Sequence, residues 1–332
     1  MFLIFDPLYW VLAMLGYLIM FALASIVAPR VAGRVSGKFS LYTSMSLLLI
    51  LILAMSASII YLILEFAEMT VNFYALIIFL LAINILIYLV SPYIINMSYG
   101  AKRSEELQRL VDEVSAILSV KAPKAVVVHS PPNAFAYGNF LTGKFVAVSD
   151  ALINMLSRDE LMAVIGHEIG HHKHKDNLFM LLLGLLPSII FYLGYMLIRS
   201  SSDERRGSQL AIVGIAAVII SFVIQILVLA FSRLREYFAD TEGVFVAGKD
   251  AMQRSLAKIH YFYYRYPSVK AEIAESRFRT LFIYALVNAV AEPLTRADIE
   301  RLKKEKVSPI QEFLSTHPPI PKRLAFIDSL RF

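Results

Sequence analysis

The stretch Ile165–Asn177, with the sequence IGHEIGHHKHKDN, contains four of the seven histidines in this chain of 332 residues. An uncharged stretch long enough to cross a membrane, residues 177–198, begins at its last residue. These histidines therefore either hold a metal ion or form a polar cluster at a membrane interface.

The spacing of the histidines favours a metal. His167, Glu168 and His171 form the pattern H-E-x-x-H, and on a helix the two histidines lie on one face, about 6 Å apart. Two imidazoles in that arrangement can bind the same tetrahedral zinc ion. Glu168 is turned about 100° from His167. It can therefore act as a general base on a water molecule instead of binding the metal.

The surrounding sequence predicts that this motif lies well inside a helix. Ser157 and Glu160 form a capping box, which predicts a helix start just before the motif. A short helix is predicted after Asp150. Two valine-rich segments before it are predicted as strands, and the segment between them as a loop or a broken strand pair: 124–130, 144–150 and 131–143.

Two further histidines and the third metal ligand are less determined by the sequence. His172 points away from the pair, whereas His174 is either an accessory ligand or a solvated histidine at the membrane edge. The third ligand is expected from the next polar segment, where Glu236 and Asp240 share a helical face. Glu236 can bind the metal while Asp240 accepts a hydrogen bond from a ligand histidine. Glu242, a distant histidine, or a charged membrane-edge cap without a metal role remain alternatives.

The composition is that of an integral membrane protein. Hydrophobic residues make up 58% of the chain and charged residues 17%, and the mean hydropathy is +0.64. A soluble chain is nearer half apolar and a quarter charged. Five uncharged runs of 22 to 33 residues are each long enough to span a bilayer, so buried soluble helices are a poor alternative. The predicted spans are 8–28, 41–64, 72–96, 177–198 and 209–231.

The charge distribution predicts the topology. If all five runs span, 29 of the 32 Lys and Arg lie on one side, which the positive-inside rule assigns to the cytosol. The N-terminus is then outside, and the first run is an uncleaved anchor because no basic residue precedes it. The loop 199–208 is mixed in charge, so 177–231 could instead be a hairpin that does not fully cross. The net charge of +6 is explained by this bias, and no nucleic-acid partner is predicted. The absence of cysteine excludes a thiolate metal site.

The fold class expected is therefore a mainly α membrane protein of about five spans with a cytosolic α+β metallopeptidase domain and a small sheet. Further helices are predicted at 104–120, 232–247, 250–265, 269–291 and 296–306. The predicted division is a three-span region 1–96, a zinc-helix half 97–176, a two-span hairpin 177–231 and a helical half 232–332.

Four segments in this order resemble the HtpX-like membrane zinc metallopeptidases, which are relatives of the CAAX prenyl endopeptidases. They extend over about 190 residues of the chain. The segments are NAFAYG at 133–138, HEIGHHKHKD at 167–176, REYFAD at 235–240 and STHPPIPKR at 315–323. The HtpX pattern has two hydrophobic helices before the zinc domain, whereas three are predicted here.

The resemblance implies an endopeptidase of the plasma membrane whose active site faces the cytosol. It implies one zinc ion held by His167, His171 and Glu236, with Glu168 as the general base. Asp240 and Asp176 would support the ligands, and His317 and Arg323 would stabilise the oxyanion or the substrate backbone. Asn133, Ala134 and Phe135 would contact substrate, and the strand around Val146 would pair with it by β-strand addition.

The partners implied are protein substrates, chiefly misfolded or unassembled membrane proteins, together with the lipid bilayer and copies of the chain itself through self-cleavage. A CAAX-type processing enzyme is an alternative, although that group usually has more spans. A metal transporter or sensor with a non-catalytic site is another, but it would leave Glu168 without a role. Intramembrane cleavage is disfavoured because Lys173 and Lys175 place the motif at the edge of the membrane.

Overall fold

The computed structural model describes most of the chain. Its described residues are 37–66, 71–200, 207–265, 295–306 and 317–331, with residues 11, 12 and 14. Apart from residues 11, 12 and 14, the predicted first span, 8–28, lies outside the described residues, and so does the predicted helix 269–291.

Helices dominate the described part, with one small sheet. The helices are α1 (Gly37–Phe66), α2 (Val71–Ser98), α3 (Glu105–Ile117), α4 (Asp150–Met155), α5 (Arg158–Lys173), α6 (Asp176–Ser200), α7 (Gly207–Arg265), α8 (Arg296–Lys303) and α9 (Ile320–Ser329). The strands are β1 (Lys102–Arg103), β2 (Lys124–Val128), β3 (Ala134–Asn139) and β4 (Gly143–Ser149).

Four helices, α1, α2, α6 and α7, are long and apolar enough to cross a membrane. They contain the predicted spans 41–64, 72–96, 177–198 and 209–231. Large apolar side chains on α1 and α2 face outward, and Ile50 and Ile78 are 63% and 65% exposed. A helix that is apolar on every side is stable when lipid surrounds it, so this exposure fits a bilayer and not water.

The H-E-x-x-H helix α5 begins at the predicted capping box. The Ser157 hydroxyl accepts from the Glu160 backbone N–H, and the Glu160 carboxylate accepts from the Ser157 N–H at 2.9 Å. The capping prediction is thus confirmed. Helix α5 packs very closely on α7, because a Cβ built at Gly243 would lie 2.6 Å from the Ala163 carbonyl oxygen. This close contact places α5 and α7 side by side.

The sheet has the order β1-β2-β4-β3, in which β2 and β4 are parallel and the other pairs antiparallel. Its two faces pack differently, since alternate residues of a strand point to opposite sides. Val146 lies in a cluster with Val111 of α3 and Ile165 of α5. Ala147 lies on the other face in a cluster with Ile95 of α2. The sheet is therefore attached to α2, one of the four candidate membrane helices.

The prediction that the strand around Val146 pairs with substrate is corrected by this topology. Val146 is paired with Ala125 on one side and with Ala136 on the other, so both edges of β4 are already hydrogen-bonded. In the described part of the chain, β3 has only β4 as a strand neighbour. An added strand would therefore have to pair with β3.

Asn139 binds the β3–β4 hairpin to α2, next to a proline inside that helix. Its amide donates to the carbonyls of Tyr88, at 2.9 Å, and Leu89, at 3.1 Å. Pro92 lies inside α2 and has no N–H, so the Tyr88 carbonyl four residues earlier loses its helical partner. The buried Asn139 amide replaces that partner, and its oxygen accepts from the Leu141 N–H in the hairpin turn.

Helix α7 runs from the predicted last span into the polar part of the chain without interruption. The predicted helices 232–247 and 250–265 are its continuation, and the break between them is at Gly248, whose φ is 83°. The same helix thus carries a membrane span and, about one and a half to two and a half turns beyond it, Glu236 and Asp240. The side chains of this polar section are buried against α5 and α9.

Candidate metal centre

Three side chains from two helices converge in a buried cluster. His167 and His171 come from α5 and Glu236 from α7, and one potential ligand atom of each lies within 4.8 Å of the others. The two Nε2 atoms are 3.2 Å apart. Glu236 oxygens lie 3.6 Å from Nε2 of His167 and 3.7 Å from Nε2 of His171. Among the described residues, this is the one such group of three or more.

Carboxylates fix the orientation of both imidazoles. Nδ1 of His167 lies 3.0 Å from Asp240, and Nδ1 of His171 lies 2.6 Å from Asp176. A carboxylate accepts a hydrogen bond, so each Nδ1 carries the proton and each Nε2 presents a lone pair. The two lone pairs and the Glu236 carboxylate therefore point to the same small volume.

This donor set fits a metal ion. Two acceptor nitrogens 3.2 Å apart without a proton between them repel each other, and a cation removes that repulsion. A tetrahedral zinc with Zn–N bonds of about 2.0–2.1 Å would separate two nitrogens by roughly 3.4 Å. The observed separation of His167 and His171 thus matches what a small divalent metal requires, and Glu236 adds a negative charge.

Arginines hold the supporting carboxylates in turn. Nε of Arg323 donates to Asp240 at 2.9 Å and Nη2 donates to it at 2.5 Å, so the guanidinium binds both carboxylate oxygens of Asp240. Asp176 is paired with Arg235 at 2.9 Å. Arg323 is completely buried. Its guanidinium therefore supports His167 through Asp240, while its Nη1 lies 4.0 Å from Oε2 of Glu236 and has no hydrogen-bond partner among the described residues. Contact of Arg323 with substrate stays a prediction.

Glu168 lies beside the cluster without joining it. The side chain is buried, and its Oε1 is 4.0 Å from Nε2 of His167 and has no hydrogen-bond partner. The carboxylate also accepts a hydrogen bond from the backbone N–H of Ala136 on β3. Burial raises the pKa of the Glu168 carboxyl above its ordinary value. A carboxylate with a raised pKa is a better proton acceptor, as a general base requires.

His317 joins the site from the start of the last described segment. Its Nδ1 lies 2.9 Å from Oε2 of Glu236, and its side chain is 14% exposed. The C-terminal H-P-P segment is therefore brought to the same cluster as residues 150 positions earlier in the sequence.

Residues 101–331 match peptidase family M48, which is more than half of the chain. The chain belongs to peptidase family M48. It is 71% identical over 328 residues to a Protease HtpX homolog of Archaeoglobus fulgidus, covering 98% of each chain. It is 54% identical to the Protease HtpX homolog of Pyrobaculum calidifontis, also covering 98% of each chain.

Among solved structures, the crystal structure of S. mikatae Ste24p has the same fold. The TM-score is 0.50 at 20% sequence identity, over 88% of this chain and 68% of that one. Family membership and the apolar helices identify the chain as a membrane metallopeptidase. The resemblance noted from the four sequence segments is confirmed, and the transporter or sensor alternative is excluded.

The three residues of the NAFA segment that are predicted to contact substrate lie in the interior of the protein. Asn133, Ala134 and Phe135 are each at most 3% exposed. The Asn133 backbone N–H donates to the Ser149 hydroxyl, and Phe135 packs in the cluster below the sheet. Their side chains therefore pack in the protein interior, and contact of this segment with substrate stays a prediction. The sequence analysis missed Ala136, although its position in the NAFA segment was the available signal.

The other two histidines of the M48 helix bind protein groups. Nε2 of His172 lies 2.8 Å from the Phe145 carbonyl, and burial lowers the pKa of His172 to about 4. His172 is therefore neutral and donates to that carbonyl, which ties α5 to β4. His174 lies 3.0 Å from Glu242, which also pairs with Lys173. Glu242 is thus separated from the metal cluster by its own cation partners.

Proposed function

We propose that this M48 chain is a zinc-dependent endopeptidase of the plasma membrane that cleaves misfolded or unassembled membrane proteins on the cytosolic side. The observation that carries the proposal is the convergence of two carboxylate-oriented imidazoles and Glu236 on one volume, with Glu168 beside it. Two nitrogen ligands and one oxygen ligand are typical of catalytic zinc sites, which keep a fourth position open.

His167, His171 and Glu236 would hold one zinc ion per chain. Zinc bound there supplies a Lewis acid that polarises a peptide carbonyl and lowers the pKa of water. Glu168 accepts the proton of the attacking water at Oε1, the oxygen that has no protein partner. The Ala136 N–H holds the other side of this carboxylate in place. Glu168 then returns the proton to the leaving amine.

The open edge of β3 is the surface that supports binding of an extended substrate. Ala136 directs its N–H away from β4 toward Glu168. Because strand residues alternate, the backbone groups of Ala134 and Gly138 point to the same side. A substrate strand added there lies along the base and the metal ligands. His317, beside Glu236, is placed to donate a hydrogen bond to the carbonyl oxygen under attack.

The first experiment compares the detergent-purified wild type with Glu168→Gln on an unfolded test protein. We expect zinc-dependent cleavage and self-cleavage by wild type alone, both abolished by a chelator, with about one zinc bound to each protein by elemental analysis. The variant keeps all three ligands, so its cleavage rate falls by several orders of magnitude while metal content stays unchanged. Equal cleavage by both proteins would refute the role of Glu168.

The orientation can be tested because the chain contains no cysteine. A single cysteine at Lys304→Cys or at Asp203→Cys is labelled with a membrane-impermeant maleimide in intact cells. The charge bias predicts labelling at 203 alone before lysis and at both positions afterwards. Labelling of 304 in intact cells would contradict the cytosolic placement. Co-reconstitution with an unassembled single-span protein, with its assembled form as control, tests the substrate class.

A further inference from the structure

A cavity of about 520 Å³ lies between the β3–β4 hairpin, the end of α5 and the start of α6. Its lining includes Asn139 of the hairpin, His172 of α5 and Leu178 of α6. The cavity adjoins the proposed substrate path, because Gly138 and His171 form part of its wall, but its lysines have no role in the proposed peptidase function. Its volume is in the range of pockets that hold small ligands.

The cavity is strongly basic. Five lysines line it, and Asp176 is the only acid among the described lining residues. Asp176 is engaged by His171 and Arg235, and Lys173 is paired with Glu242. In the described part of the chain, the remaining four lysines have no carboxylate within ion-pair distance: Lys121, Lys124, Lys144 and Lys175. The cavity therefore has four uncompensated positive charges.

Two of these exposed lysines are bound by backbone carbonyls, which do not neutralise their charge. Lys144 donates to the His172 carbonyl at 3.0 Å, and Lys124 donates to the Thr142 carbonyl at 3.2 Å. Burial, with a smaller contribution from the nearby charge of Lys175, lowers the pKa of Lys144. Lys175 also has a left-handed backbone, with φ 56°, where glycine or asparagine would be less strained. A bound anion would relieve the repulsion.

The surroundings of the cavity are apolar and lie at membrane level. Tyr88, on its wall, belongs to the candidate span Ile77–Ser98, and Leu178 lies at the start of the span in α6. The adjacent hairpin tip exposes Phe140 and Leu141, at 79% and 66%. Asn139 holds this tip against α2, so the two side chains project beside a membrane helix.

We propose that this cavity binds the headgroup of an anionic phospholipid, with the phosphate among Lys124, Lys144 and Lys175 and the acyl chains beside Phe140 and Leu141. Clustered lysines directly next to membrane helices are the usual recognition element for anionic headgroups. A free phosphate ion accounts for the lysines but leaves the exposed hairpin tip without a partner. A phospholipid accounts for both, because it joins one negative charge to an apolar tail.

The test uses the full chain, delipidated in detergent and titrated with short-chain phosphatidylglycerol or phosphatidylcholine, with bound lipid counted by native mass spectrometry. The cavity variant is Lys124→Gln/Lys175→Gln. Its matched control is Lys304→Gln/Lys306→Gln, which removes the same charge from exposed positions that do not line the cavity. We expect wild type and control to retain phosphatidylglycerol in preference to phosphatidylcholine, and the cavity variant to bind it about 30-fold more weakly.

A second variant, Phe140→Ser/Leu141→Ser, separates the lipid from a soluble anion. It should weaken phosphatidylglycerol binding, while competition by inorganic phosphate stays weak for every protein. Equal retention of the two lipids, or equal retention by cavity variant and control, would overturn the proposal. Inorganic phosphate that competes as well as the lipid would identify a phosphate site instead. A cavity variant that keeps the lipid but cleaves acidic peptides more slowly would make the lysines a substrate subsite. Because lipid binding is measured without catalysis, failure of the peptidase proposal would not affect these outcomes.

Discussion

Replacement of Asp240 by asparagine tests how the protein prepares its metal ligands. Asp240 is completely buried and lies between Nδ1 of His167 and the guanidinium of Arg323. An amide oxygen still accepts from one partner, but the hydrogen bond to His167 loses its charge assistance. Charge-assisted hydrogen bonds contribute about 1–1.5 kcal/mol more than neutral ones, so metal affinity should fall about 10-fold. This is the lower end of the range for groups that support metal ligands.

The same substitution removes the nearer counter-ion of the buried Arg323 and leaves only Glu236, whose Oε2 is 4.0 Å from Nη1. Breaking a buried ion pair from one side costs about 3–5 kcal/mol, so the metal-free Asp240→Asn protein should unfold at a clearly lower temperature. The double variant Asp240→Asn/Arg323→Met removes both charges. It should recover most of the stability while metal affinity remains below wild type.

The measurements are thermal unfolding in chelator and zinc affinity by competition with a chromophoric chelator, both in the same detergent. The stability measurement separates general damage from the effect on the imidazole. Wild-type zinc affinity in the single variant would refute the reasoning that the carboxylate sets the orientation and basicity of His167. Loss of zinc affinity that the double variant fully restores would refute it as well, because the damage would then come from Arg323 alone.

Three further substitutions test the supporting structure. Asn139→Ala removes a donor from the Tyr88 and Leu89 carbonyls and leaves Tyr88 with the Ser91 hydroxyl alone. It should cost about 1 kcal/mol in thermal unfolding, whereas the neighbouring exposed Phe140→Ala should cost much less. Gly243→Ala should destabilise by about 1–3 kcal/mol and lower zinc affinity, because its Cβ would meet the Ala163 carbonyl and force α5 from α7; a normal melting temperature would contradict that packing. Burial raises the pKa of the Glu160 carboxyl, but hydrogen bonds from Lys258, Ser157 and Arg254 lower it by more, so that pKa lies below its ordinary value. The ionised Glu160 therefore stabilises the folded protein above its ordinary pKa, and this stabilisation is lost as the pH falls. Glu160→Gln should flatten the dependence of the unfolding temperature on pH below about pH 5.

The local features of the fold could be predicted from the sequence because their causes are local. The capping box at Ser157 and the uncharged runs each depend on residues within one element. The kink at Gly248 was also signalled, since the predicted helices ended and began around it. By contrast, the position of β4 between two strands depends on how segments 20 residues apart pair. No periodicity within β4 distinguishes an interior strand from an edge strand when both faces are buried.

The candidate site also has features that the sequence predicts and features that it does not. The spacing of His167, Glu168 and His171 predicts that they form one site, whereas the sequence pattern alone leaves the third donor open among Glu236, Asp240, Glu242 and a distant histidine. Their distances from the imidazoles separate them: Glu236 faces Nε2, and Asp240 faces Nδ1. Arg323 shows most clearly what the sequence pattern does not predict, because its buried contact with Asp240 joins positions 83 residues apart. No pattern along the chain records that contact.

The separation of the metal donors along the chain has a consequence for how the enzyme is made. His167 and His171 leave the ribosome before the two apolar helices, and Glu236 follows them. Because synthesis runs from the N-terminus, a nascent chain holds only two of the three donors until the hairpin 177–231 has been built. If that hairpin crosses the bilayer once and fails to return, Glu236 is left on the opposite side from the histidines. With the proposed ligands and topology, membrane insertion would act as a checkpoint for proteolysis, because a chain that is incompletely or wrongly inserted would lack Glu236 at its metal site.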